Sequence, residues 1–162
     1  MPIRILIADD HEALRRGIRR LLETHSDWQI CGEASDGLDA IEKAASLKPD
    51  IVILDLTMPK MNGLKAAQVI HAAAPALPLL LCSVHATDDL LVTEFRSSGF
   101  RGAVSKHQAS LLPEAVERLL EGKEYFPSSL TPGSAVEIES ATAEGEPSVA
   151  TEPPPPEPTT SS

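Results

Sequence analysis

The sequence predicts an α/β fold, a doubly wound five-stranded parallel sheet, and three observations carry that prediction. Ile51-Val52-Ile53-Leu54 is an unbroken aliphatic run that enters Asp55 and stops at Met58-Pro59. Such a run suits a strand covered on both faces, the habit of parallel sheets. Strand-like and helix-like patterns then alternate five times along residues 3–120, which calls for helices on both faces of a parallel sheet. Acidic groups, a hydroxyl and a lysine follow the carboxyl ends of the strand runs, where open α/β sheets bind ligands.

Each element has its own signal. Ile3–Ala8 is the first strand and runs into Asp9-Asp10-His11-Glu12. Acidic residues suit the positive end of a starting helix. That helix carries Leu14, Ile18, Leu21 and Leu22 on one face. Residues 29–34, entered through Trp28, form the second strand. Asp36-Gly37 opens a helix through Leu38, Ile41 and Ala45. After the central strand, Asn62-Gly63 caps a helix over 64–73, closed by Pro75 and Pro78. Leu79–Ser83 is the fourth strand, a helix over 88–98 ends at Gly99, and 101–105 is a short fifth strand before Lys106. The last helix spans 112–120, with Pro113 in its first turn.

Composition bounds the organisation. The chain has 162 residues and a formal net charge of -10. Residues 127–162 hold six Glu and no Lys or Arg, leaving -4 for residues 1–126. The expected division is a folded domain over 1–126 and a disordered, acidic Pro/Ser/Thr/Glu-rich tail over 127–162. The acidic balance disfavours nucleic-acid binding. No run approaches the ~20 apolar residues of a membrane span. Cys31 and Cys82 lie in apolar runs and read as buried thiols, which fits a cytoplasmic setting.

With the strand order 2-1-3-4-5 of such sheets, Asp9 and Asp10 converge with Asp55 at the topological switch point. Three carboxylates there repel one another unless a hard divalent cation joins them, and oxygen ligands favour Mg²⁺. Ser83 and Lys106 supply a hydroxyl and an ammonium suited to phosphoryl oxygens. Met58 and Met61 read as turn packing, since thioethers do not serve hard cations.

Asp9-Asp10, the run from Asp55 through Thr57-Met58-Pro59-Lys60 to Asn62-Gly63, Ser83 and Lys106 resemble the signature of CheY-like response-regulator receiver domains. Residues 81–85 and 121–126 resemble the NarL-type branch, and the resemblance covers 3 to about 126. It implies a stand-alone phosphorelay receiver taking a phosphoryl group from a sensor histidine kinase on Asp55. It implies Mg²⁺ on Asp10, Asp55 and the Thr57 backbone carbonyl, with Asp9 acting through a metal-bound water. Lys106 and Ser83 would bind the phosphoryl group. The implied output is contact with a downstream protein partner or a homodimer, without direct nucleic-acid or membrane binding. Enzymatic activity would be limited to self-phosphorylation and autodephosphorylation.

Two departures stand out. Receivers usually carry Tyr or Phe three residues before the lysine, where this chain has Ala103. Alanine has no χ1 rotor, so transmission from the site to residues 101–120 is expected to be weak. NarL-type proteins usually continue into a DNA-binding helix-turn-helix, whereas the acidic tail follows here. Two other classes compete. An aspartyl phosphatase would want a second acid where Thr57 stands, and a pseudo-receiver would never be phosphorylated. Arg15, Arg16, Arg19 and Arg20 form a basic edge, read either as a solvated face or as a docking edge for an acidic partner. His85 is expected near the site mouth.

Overall fold

A computed structural model of the protein describes residues 2–84 and 91–126. The expected start of the fourth helix at 88, the position of His85 and the 127–162 tail lie outside the described residues. Five strands, β1 (Ile3–Ala8), β2 (Trp28–Ala34), β3 (Ile51–Leu54), β4 (Leu79–Ser83) and β5 (Phe100–Ser105), form one parallel sheet in the order β2-β1-β3-β4-β5. The predicted order and strand count hold.

The helices are α1 (Glu12–Leu22), α2 (Gly37–Leu47), α3 (Gly63–Ala73), α4 (Val92–Ser97) and α5 (Leu112–Leu120). Their apolar faces divide the core in two. Ala40 of α2, Ala66 and Ile70 of α3, and Val92 and Phe95 of α4 meet one sheet face. Ile18 and Leu22 of α1, and Leu112, Ala115, Val116 and Leu119 of α5, meet the other. Every residue of β3 is buried, as expected of a central strand sandwiched between helix layers.

Local chemistry explains the helix starts that matter to the site. Asp36 accepts the Asp39 N–H at 2.8 Å and caps α2; Asn62 accepts the Lys65 N–H at 2.8 Å and caps α3. The segment joining β3 to α3 is held tightly. Gly63 donates its N–H to the Leu56 carbonyl at 2.7 Å. A Cβ on Gly63 would lie 1.9 Å from the Asp55 carbonyl oxygen, so only glycine admits this approach.

Two features were not foreseen. A short 3₁₀ turn, Lys106–Leu111, separates β5 from α5. And after α5 the chain turns back at Gly122, whose φ is +85°, to lay Tyr125 beside Gly102 as a parallel bridge on the free edge of β5.

Candidate functional site

β1 and β3 are hydrogen-bonded neighbours, and their carboxyl ends deliver the two central acids. Asp9 donates its N–H to the Ala34 carbonyl at 2.9 Å, and Asp55 donates its own to Ala8 at 2.8 Å. Both carboxylates are buried, at 2% and 4% exposure. Lys106, the residue after β5, reaches across the strand ends to both. Its Nζ lies 3.0 Å from Asp9 Oδ2 and 3.2 Å from Asp55 Oδ2. Ser83 ends β4 opposite Ser105 and is fully buried. Val84, next to it, is half exposed at the rim.

One ammonium facing two carboxylates leaves the site net negative, and the titration behaviour follows. Burial, then the charge of Asp9, push the Asp55 carboxyl above its usual range, although Lys106 opposes them. For Lys106, burial alone would lower the ammonium's pKa. The carboxylates of Asp9 and Asp55 outweigh burial and hold it above the ordinary lysine value. Cys82, buried beneath this site, has its thiol pushed up to about 12 by burial, so it is an inert apolar group.

A hard cation fits this donor set. Asp9 Oδ2 has no hydrogen-bond donor of acceptable geometry, and the nearby ammonium meets it as a charge contact alone. Ligand atoms of Asp9, Asp10 and His11 lie within 4.8 Å of one another. Asp10 and His11 are exposed at the mouth while Asp9 is buried. Asp9 and Asp10 cluster with His11, and Asp55 shares the Lys106 ammonium with Asp9. His11 is expected at the surface and is exposed there. As the residue before α1, it makes no side-chain cap.

Other expectations resolve as follows. Met58 is buried and Met61 packs against the core, in keeping with turn packing. Cys82 is buried, whereas Cys31 is only half-buried; both are free thiols. The basic edge of α1 is largely satisfied within the protein. Arg15 and Arg19 both bind Glu33 of β2, at 2.9 and 2.6 Å, and Arg16 binds Glu12 at 2.9 Å. Hydrogen bonding from Arg15, against the opposing effect of burial and with help from Arg19, holds the Glu33 carboxyl below its usual range. Arg20 is exposed.

Residues 5–117 match the family described as the response regulator receiver domain. The chain belongs to that family. The receiver is 33% identical over 126 residues to the response regulator protein VraR of Staphylococcus saprophyticus, covering 78% of this chain and 60% of that one. It is 34% identical over 116 residues to the chemotaxis protein CheY of Listeria monocytogenes, covering 72% of this chain and 97% of CheY. The crystal structure of a LuxR-family two-component response regulator from Aurantimonas sp. SI85-9A1 superposes with a TM-score of 0.74 at 30% identity. That match covers 89% of this chain and all of that one. The relatives include regulators of the LuxR and NarL type as well as CheY, in keeping with the branch resemblance. The chain spans about 60% of the length of VraR. Receiver domains are not in general enzymes. Among the described residues no helix is long and apolar enough to cross a membrane.

Proposed function

We propose that this receiver accepts a phosphoryl group on Asp55 from a sensor histidine kinase and signals through altered protein–protein contacts. One observation carries the reading: a single half-buried ammonium, Lys106, is shared by the buried Asp9 and Asp55 at the ends of adjacent central strands. Two buried carboxylates sharing one ammonium at a switch point are costly without chemistry to perform.

The steps follow from the geometry. An Asp55 carboxylate oxygen attacks phosphorus in line; the P–N bond of the donor phosphohistidine breaks, and the imidazole leaves with the electron pair. Lys106 follows the charge, exchanging its contact with the Asp55 carboxylate for one with a phosphoryl oxygen. The Ser83 hydroxyl donates to another. Asp10, Asp55 and the Thr57 backbone carbonyl would hold Mg²⁺, with Asp9 reached through a water. Bound there, the cation offsets charge on the three carboxylates and on the transferred group. Water attack on the same phosphorus returns inorganic phosphate and the free carboxylate, the only turnover we assign. The domain boundary near Phe126, a cytoplasmic setting, and output through a downstream protein or a homodimer belong to the same proposal. Nucleic acid and membrane are not partners in it.

Incubating the protein with a small phosphodonor tests this. Intact mass should rise by one phosphoryl group in the presence of Mg²⁺. The adduct should be absent from Asp55→Asn and from samples treated with chelator. An adduct that persists in either sample refutes the assignment.

A further inference from the structure

The chain's return along β5 builds a device at the position where this receiver lacks the usual aromatic. Tyr125 donates its N–H to the Arg101 carbonyl at 3.0 Å and accepts the Ala103 N–H at 2.8 Å. These two bonds hold Tyr125 against the β5 edge as an isolated parallel bridge. Gly102 is required beneath it. A Cβ there would meet the Tyr125 carbonyl oxygen at 2.7 Å and Leu119 Cδ1 at 2.9 Å.

Successive residues of a strand point to opposite faces, and the two rings do so here. Tyr125 packs with the α1/α5 side of the core, and Phe126 is buried with the α3/α4 side, in the same cluster as Ala103, Phe95 and Phe100. Each ring lies under an arginine from the helix on its own face. The Arg96 guanidinium of α4 is 4.7 Å from the Phe126 ring centre, and that of Arg118 of α5 is 5.9 Å from the Tyr125 ring centre. Arg96 also binds Glu124 at 3.0 Å. The segment is a clip that grips α4, β5 and α5 together.

We propose that this aromatic clip reports the phosphorylation state of Asp55, with Phe126 supplying from the chain's return segment the ring that Ala103 does not provide. The inference rests on the Asp55 reading above. β5 carries the clip at Ala103 and Lys106 three residues later. Its partner β4 pairs Leu81 with Ala103 and Ser83 with Ser105. Both groups assigned to the phosphoryl oxygens therefore lie within three residues of the clip's seat. In the free protein Lys106 divides its charge between Asp9 and Asp55. A phosphoryl group on Asp55 draws it toward β3 and takes the carboxyl end of β5 inward with it. The clip sits on the opposite, outer edge of that strand, held by two backbone hydrogen bonds, so it loosens. Loosening leaves the Ala103 N–H and Arg101 carbonyl unpaired, a strand edge open to another chain.

The unmodified protein, with beryllofluoride and Mg²⁺ as the phosphoryl mimic, provides the test. Its three phenylalanines can be fluorinated, and the Phe126 resonance assigned with Phe126→Leu. On saturation the Phe126 resonance should shift, and exchange of the Ala103 amide should accelerate about tenfold or more, as local opening demands. If amides of residues 55–57 report binding while the Phe126 signal and Ala103 exchange stay unchanged, the clip is static and this inference fails alone. If no binding occurs, the Asp55 reading fails and takes this one with it.

Discussion

Lys106→Met should unfold well below the parent protein in metal-free buffer. The substitution keeps much of the side chain's apolar volume and removes the only cation that the described structure places on Asp9 and Asp55. Two buried carboxylates are then left facing each other. Removing one partner of a buried pair costs about 3–5 kcal/mol, and the partial exposure of Lys106 places this case at the lower end, about 3 kcal/mol. For a domain of this size that is a fall of roughly 10 °C in Tm. The pH dependence fixes the cause. The folded state already holds the Asp55 proton more tightly than the unfolded chain does. Stability therefore falls as pH rises from the unfolded carboxyl value, ~3.9, through the raised folded value. Lys106 acts in the opposite sense. Its raised pKa contributes stability that is present at neutral pH and lost only as pH climbs through the folded lysine value. Without Lys106 the deficit in thermal scans should widen as pH rises above the ordinary carboxyl value, ~3.9, and Mg²⁺ should narrow it. A deficit independent of both pH and Mg²⁺ would assign the loss to packing instead.

Phe126→Ala lowers stability by an amount close to that of a central core residue, although it is the last described residue of the domain. Phe126 is 2% exposed and shares a cluster with Phe95, Phe100 and Ala103. Phe→Ala in a core costs about 3–5 kcal/mol. Partial collapse at a sheet edge favours about 3 kcal/mol, again roughly 10 °C. Tyr125→Ala should cost less, since Tyr125 is only half-buried. Chemical denaturation of the two variants checks both the size and the order. Equal, near-zero effects would mean that the domain's folding unit ends at α5.

These two residues also mark what the sequence could and could not disclose. Lys106 was legible because a strand-end lysine after a short β run falls at the same carboxyl edge of the sheet as the ends of β1 and β3, within reach of a long side chain. The same logic exposed Asp9 and Asp55. Unbroken aliphatic runs such as Ile51–Leu54 and capping pairs such as Asp36-Gly37 and Asn62-Gly63 placed most elements to within a residue or two. The seat of Phe126 was not legible. A single bridged residue leaves no periodicity, and its partner edge lies more than twenty residues back at Arg101–Ala103. On the sequence Ala103 presents only the absence of a ring, and the packing of Phe126 into the same cluster leaves no mark at position 103. The pairing of Arg15 and Arg19 with Glu33 was hidden for a similar reason. A long-range ion pair between a helix and a neighbouring strand follows from packing, and on the sequence those arginines present only a basic stripe.

The chemistry at Asp55 is tested most directly by locating the phosphoryl group as an acyl phosphate. Phosphorylated protein is reduced with borohydride, which converts an aspartyl phosphate to homoserine, then digested and sequenced by mass spectrometry. The account predicts homoserine at position 55 and nowhere else, in amounts that follow the Mg²⁺-dependent adduct. Homoserine at position 9 or 10, or an adduct on His11 that resists borohydride, would contradict it.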